Sequence, residues 1–231
     1  FASFTKLFLY TFLSKALTTL AANLDLVLIT RWIGPEIVTV FELNRRPIKL
    51  MATFADRPSV SILPTFSNLF GFGDFLKLKK VFILFLYFWI WLIILIIGGL
   101  IAFNGSLIML WIGEEFYLGD KLNTLLCISL FVTSFTHSMF NFSYSLGNIK
   151  GNSIAEGIGS SLWIIMMFVL GSQFGLIGFV ISPLLAKLLY ELWYYPLFLK
   201  RTIKLEMVDM KKIAFDFFKI AIVVLLMIIV V

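Results

Sequence analysis

The 231-residue sequence contains a single cysteine, Cys127, and a single histidine, His137. No intrachain disulfide can form, and neither a thiolate metal site nor a His/Cys zinc cluster can be assembled, so no cofactor is expected. Charged residues are scarce, at 14% of the chain, where a soluble domain carries about 25%. No glycine-rich loop ending in Lys-Ser/Thr occurs, which excludes a nucleotide-driven motor in this chain. His137 has no nucleophile or acid partner evident in the sequence, so the chain reads as a non-enzyme.

What fills the sequence instead is apolar: 61% hydrophobic residues, 26 Phe, 6 Trp and a mean hydropathy of +1.01. A water-soluble fold would have to expose much of that surface, so the composition requires a membrane. Seven apolar runs stand out: Thr5 to Ile33, Ile37 to Phe70, Val81 to Phe103, Leu122 to Leu146, Asn152 to Leu170, Gly178 to Leu199 and Ile213 to Val231. None alternates at period two, so an all-α polytopic bundle of six to seven transmembrane helices is expected rather than a porin-like barrel. Breakers separate the runs: Gly34-Pro35, Gly71 and Gly73, Asn104-Gly105, Gly147, Gly151, Gly171 and Gly175.

The net charge of +6 is a matter of topology, not of nucleic acid. Ten cations gather on one side: Lys6, Lys77, Lys79, Lys80, Lys150, Lys200, Arg201, Lys204, Lys211 and Lys212. The opposite side has Arg31 and Lys121 beside Glu114, Glu115 and Asp120. This bias alternates through every loop, which puts the basic side in the cytoplasm and starts the first span inside. Trp32, Trp111 and Tyr117 at outer ends and Trp193, Tyr194 and Tyr195 at an inner end fit interfacial belts; Trp89, Trp91 and Trp163 read as lipid-facing or packing residues. Residues 1–200 are expected to form a six-helix lobe, 201–212 a basic cytoplasmic loop, and 213–231 the start of a further helix with Lys219 near its inner end. The first residue is Phe1 and the last run is unfinished, so the chain is expected to be a piece of a larger protein.

The second run differs from the others. FELNRRPIKLMATFADRP places Glu42, Arg45, Arg46, Lys49, Asp56 and Arg57 in a segment that must cross the bilayer. Counted from Glu36, Arg45 to Lys49 lie about 13 to 20 Å deep, near the midplane. A helical wheel set at zero on Glu42 puts Arg45 at about −60°, Arg46 at about +40°, Lys49 at about −20°, Asp56 at about −40° and Arg57 at about +60°. The charges therefore share a face about 120° wide. A central charge facing lipid costs roughly 2.5 kcal/mol or more, so this face is expected to look into protein or a watery cavity. Glu42 can pair with Arg46 at i,i+4, and Asp56 can partly offset Lys49 and Arg57; four cations against two carboxylates leave the face positive. A guanidinium fork matches phosphate oxygens, so an anionic ligand is the favoured reading; the alternative is structural ion pairs buried between helices, together with an inner end that simply sits in cytoplasmic water. Pro47 and Pro58 are expected to kink the same helix, as a static bend or as one used in alternating access.

Other polar residues are candidates for the same cavity. Ser134, His137, Ser138, Asn141 and Ser145 form a stripe on the fourth run, with interhelical hydrogen bonding as the alternative. Asn23 and Asp25 could serve a coupling ion, with pairing to a basic neighbour as the alternative. Lys187 and Glu191 suit an i,i+4 pair, and Glu156 suits a helix first turn whatever the function.

Several stretches resemble polysaccharide-type flippases of the multidrug/oligosaccharidyl-lipid/polysaccharide exporter superfamily. They are DLVLITRWIGPEIVTVFELNRRP (Asp25 to Pro47), LPTFSNLFGFGD (Leu63 to Asp74), LWIGEEF (Leu110 to Phe116) and GLIGFVISPLL (Gly175 to Leu185). Such proteins have twelve or fourteen helices in two lobes and move lipid-linked sugars across the bacterial cytoplasmic membrane. The resemblance is to the second lobe, and it implies a partner lobe elsewhere in the same polypeptide. It also implies Arg45, Arg46, Lys49 and Arg57 at the pyrophosphate or anionic sugars of an undecaprenyl-linked oligosaccharide. Asp25, Glu42 and Asp56 would then be candidates for ion coupling or charge pairing, and His137, Asn141, Lys187 and Glu191 for the cavity wall. Implied partners are the lipid-linked substrate, membrane lipid, and the polymerase and chain-length machinery of surface polysaccharide synthesis. The alternatives are a drug or cation antiporter of the same superfamily and a nonenzymatic scaffold. A membrane glycosyltransferase would need a catalytic loop longer than any here.

Overall fold

A computed structural model describes residues 2–206 together with Phe215 and Lys219. Apart from Phe215 and Lys219, the expected helix over 213–231 lies outside the described residues, as does the second half of the loop expected over 201–212, whose first residues continue a helix to Ile203. The elements are α1 (Ala2–Trp32), α2 (Pro35–Gly71), α3 (Phe75–Trp111), a 3₁₀ turn (Glu114–Phe116), α4 (Asp120–Ser145), α5 (Ile149–Phe174), α6 (Leu176–Ala186), a π-helical turn (Lys187–Glu191) and α7 (Leu192–Ile203). Among the described residues there is no strand, and the protein is an all-α polytopic bundle. Five helical stretches are long and apolar enough to cross a membrane: Thr5–Trp32, Phe75–Trp111, Asp120–Ser145, Ile149–Phe174 and the continuous stretch Leu176–Ile203.

The charged helix α2 is 37 residues long, the same as α3; it is not itself apolar enough to count among the five, but its hydrogen bonds align it with a helix that is. Asp56 meets Ser134, and Ser67 meets Ser145, at the same sequence offset of 78. A constant offset over three turns means that α2 and α4 run parallel, and α4 is itself apolar enough to span. The α1–α5 pair repeats the pattern at an offset of 142, with Thr11–Ser153 at 3.2 Å, Ser14–Glu156 at 3.2 Å and Thr18–Ser160 at 2.9 Å. These hydroxyl contacts recur at steps of three and four residues, one seam along two parallel helices. Both parallel pairs agree with the alternating in–out topology expected from the basic loops.

The helices group as α1, α5 and α6 on one side and α2, α3 and α4 on the other, with α1–α2 and α4–α6 contacts joining them. The second group is held by aromatic packing around Phe142, whose ring centroid lies 4.6 Å from Phe66, 5.3 Å from Phe82 and 4.7 Å from Phe85. Pro35 opens α2, where a missing N–H costs nothing, and the helix continues through Pro47, Pro58 and Pro64. Asp74 caps α3 by accepting from the Lys77 amide at 3.1 Å, and that bond, with the Lys77 side chain, lowers the Asp74 pKa.

Three expected breaks are absent. Asn104 and Gly105 lie inside α3, and Gly151 and Gly171 lie inside α5. Buried Asn104 stays helical because its amide donates to Asn123 Oδ1 on α4 at 2.8 Å, while Asn123 reaches the Leu100 carbonyl at 3.1 Å. Gly105 leaves room for the Tyr117 ring of the outer loop, whose nearest carbon lies 3.0 Å from where a Cβ would sit. Tyr117 donates to Asp120 at 2.7 Å, and partial burial and this carboxylate both raise its pKa.

Asn44 fixes the same loop to α2. Its Nδ2 donates to the Phe116 carbonyl at 2.7 Å, and its Oδ1 accepts from the Leu118 amide at 3.2 Å. Asn44→Ala leaves those two backbone groups without a partner and is expected to cost about 2 kcal/mol, since an orphaned buried group costs about 1–3 kcal/mol. Thermal unfolding in lipid nanodiscs would register the loss; an unchanged midpoint would mean that the loop holds itself.

Candidate functional site

A cleft between the two helix groups collects nearly all the charged side chains of the interior. Its outer compartment, about 150 Å³, is lined by Asp25, Arg45, Lys49, Ser129 and Phe179 among others. Its inner compartment, about 320 Å³, is lined by Lys15, Asp56, His137, Glu156, Lys187 and Glu191 among others. Thr133, Trp163 and Pro183 line both, so they form the waist of one cleft.

In the outer compartment, Arg45 Nη1 lies 2.8 Å from Asp25 Oδ2 on α1 and 3.1 Å from Glu42 Oε1 one turn away. Lys49 Nζ reaches Glu42 Oε2 at 2.7 Å. The Arg45 guanidinium also lies over the Phe41 ring, 4.7 Å from its centroid, a cation–π contact that holds it against the wall. Glu42 thus pairs with Arg45 and Lys49 instead of the expected Arg46. The reason lies in the wheel: Arg45 and Lys49 lie on the flank of the charged face turned to α1, and Arg46 on the other flank.

In the inner compartment each charge also has a partner. Asp56 accepts from Ser134 Oγ at 2.6 Å and lies 2.9 Å from His137 Nδ1, so it is tied to α4 rather than to Lys49 or Arg57. Lys15 pairs with Glu156 at 2.7 Å. Lys187 pairs with Glu191 at 2.7 Å across the π turn, and the Glu191 carboxylate occupies the notch that the missing side chain of Gly159 leaves on α5. Asn141 donates to Ser59 at 3.0 Å, the interhelical alternative for the α4 stripe.

One expectation changes as a result. The cavity expected to be net positive is not: its walls carry Lys15, Arg45, Lys49 and Lys187 against Asp25, Asp56, Glu156 and Glu191, and Glu42 behind them pairs with Arg45 and Lys49. The wheel of α2 counts one helix, and α1, α5 and the π turn bring the other carboxylates. The surplus positive charge on α2 is Arg46 and Arg57, both exposed on the flank turned away from its buried face and without an ion pair among the described residues. Trp163 packs against the core, the second of its two expected readings, and also stands at the waist, where its buried indole Nε1 has no hydrogen-bond partner among the described residues.

Sequence reasoning passed over Lys15, Thr18, Thr133 and Pro183, because each looks ordinary on its own helix and only the crossing of several helices assembles them. The i to i+3 and i+4 spacing of Thr11, Ser14 and Thr18 was the signal available. Among the described residues no group of His, Cys, Asp and Glu is placed to hold a metal ion.

Fold and cleft together define the class: a multi-pass helical membrane protein with a charge-lined interior cleft. Comparison with protein-family models, curated proteins and solved structures gives no match.

Proposed function

We propose that the chain forms one lobe of an alternating-access flippase of the bacterial cytoplasmic membrane, carrying an undecaprenyl-pyrophosphate-linked oligosaccharide for surface polysaccharide synthesis without making or breaking covalent bonds. The observation that carries this reading is the pair Arg46 and Arg57, which has no carboxylate partner among the described residues. They lie eleven residues apart, about three turns or 16 Å along α2, and within about 20° of one another around it. With exposed Lys49 and Thr53 between them, they make a cationic strip that runs from near the midplane at Arg46 to the inner edge of the hydrocarbon core, about 31 Å from Glu36, at Arg57. Lipid is an expensive neighbour for the Arg46 end of the strip, whereas a watery inter-lobe cavity holding a pyrophosphate supplies two-pronged acceptors along all of it. Arg45, tied to Asp25 and Glu42, then acts as a positioning residue that holds α1 against α2. The apolar helices and the resemblance of four stretches to such flippases support the reading further.

Replacing both Arg46 and Arg57 with Ala is expected to cut surface polysaccharide display at least tenfold while lipid-linked precursor accumulates inside. Two charge-assisted contacts at about 1.5–3 kcal/mol each exceed the roughly 1.4 kcal/mol that a tenfold loss requires. Normal display at normal membrane levels of the variant would sink the proposal. A cleft that is not net positive favours one second reading, an antiporter of the same superfamily for cationic substrates. That protein would lose drug resistance on Asp56→Asn and keep it without Arg46 and Arg57.

A further inference from the structure

We infer that the inner compartment is a subsite for an uncharged sugar, seated there by a hydrogen bond from the Trp163 indole. The inference rests on the oligosaccharide-flippase reading and adds what that reading leaves open: which part of the head group sits where, and what charge it bears.

The first argument is electrostatic. Two closed ion pairs line this compartment, Lys15–Glu156 and Lys187–Glu191, both at 2.7 Å, while Asp56 accepts from Ser134 Oγ at 2.6 Å and lies 2.9 Å from His137 Nδ1. An anionic group could bind only by drawing a Lys from its carboxylate, which leaves that carboxylate uncompensated in a low-dielectric wall. A cationic group meets the converse obstacle. A hydroxyl both donates and accepts, so it can bridge such a pair without opening it. A polyhydroxyl ligand is therefore the class these walls admit at least cost.

The second argument is the orphan donor. The Trp163 Nε1 atom is buried with no acceptor among the described residues, although a buried indole N–H ordinarily has one. Leaving it unpaired costs about 1–3 kcal/mol, and a ligand oxygen at the waist removes that cost. Thr133 faces the same waist with a hydroxyl that can donate or accept. Trp163, Phe140 and Tyr195 supply apolar ring surface beside the paired charges, as the C–H face of a pyranose requires. At about 320 Å³ the compartment is at the lower end of small-ligand sites, which run from about 300 to 1,000 Å³, and has room for a sugar-sized group.

The test measures binding of three synthetic probes to the full chain in lipid nanodiscs: polyprenyl pyrophosphate, the same lipid bearing a neutral disaccharide, and the same lipid bearing a disaccharide whose first sugar is a uronic acid. Trp163→Phe keeps an aromatic ring and removes the donor. It is expected to weaken the neutral-sugar probe about tenfold and leave the sugar-free probe unchanged, with the uronic acid probe bound no better than the sugar-free one. Thr133→Val, at the same waist, is expected to weaken the neutral-sugar probe selectively and serves if Trp163→Phe does not fold. Equal weakening of both lipids, no weakening of either, or tighter binding of the uronic acid probe overturns the sugar subsite while leaving the flippase reading in place. A wild-type chain that binds none of the three overturns both.

Discussion

Asp25→Ala is expected to destabilise the bundle by about 3–5 kcal/mol, the cost of breaking a buried ion pair from one side. The Asp25 side chain is 6% exposed and the Arg45 side chain 19%, so water reaches neither well enough to replace the partner. Asp25 also accepts from the Leu26 amide at 2.8 Å, which leaves its second oxygen for Arg45. Removing Asp25 leaves Arg45 with Glu42 alone, and Glu42 is already shared with Lys49. Arg45→Ala should be nearly as harmful, because it strands Asp25. Removing both should cost less than the sum of the two single losses, by about 1–3 kcal/mol of coupling. Melting midpoints of the two single variants and the double variant in nanodiscs give that coupling directly. Strict additivity would show that the two side chains lie close without stabilising each other.

Gly178→Val should be the most damaging single change on the α5–α6 hairpin. A Cβ at Gly178 would run into the carbonyl of Leu170 and lie 2.8 Å from the amide nitrogen of Gly171. Those are backbone atoms, so no rotamer change relieves the clash and the two helices must separate. A neighbouring contact tightens the same crossing: the Phe179 ring sits where a Gly171 side chain would be, 2.7 Å from that Cβ position. Overpacking costs about 1–3 kcal/mol where side chains can yield, and here about 3 kcal/mol or more is expected because backbone has to move. The functional consequence follows from connectivity. Gly178 leads into Pro183, Lys187 and Glu191, so displacement of α6 carries the inner wall of the cleft with it. A protease-accessibility and thermal-melt comparison of Gly178→Ala and Gly178→Val would show graded loss. A Val variant as stable as the parent would mean that the hairpin is looser than its geometry.

How much of the site was legible depends on whether its residues share a helix. Arg45, Lys49 and Asp56 lie on one chain segment, so 3.6-residue geometry placed them on a common face before any fold was known, and their burial cost required that face to be covered. The pairing of Asp25 with a basic neighbour was one of two open alternatives, and the neighbour is Arg45. Lys187 and Glu191 were legible as a pair but not as part of a π turn that aims Glu191 at Gly159. Glu156 looked like a first-turn acid, yet its partners are Ser14 and Lys15, 142 and 141 residues away. Trp163 packs against the core, as one of its two readings had it, but its place in the cleft was not legible because an aromatic in an apolar helix has no sequence mark that separates a packed wall from a cleft.

The sequence by itself determined that this is a helical, multi-pass membrane protein, where its helices begin and end to within a few residues at most boundaries, and that α2 needs a covered face. Those follow from composition, hydropathic length and local periodicity, which are properties of one segment at a time. Only the tertiary structure decided the partners: that α2 runs parallel to α4 and α1 to α5, that carboxylates from several helices meet the cations of the cleft walls, and that Arg46 and Arg57 remain outside those pairings. Charge compensation in a low-dielectric interior is settled by which helices cross, and crossing depends on small residues such as Gly159 and Gly178 whose effect lies in the neighbour they admit.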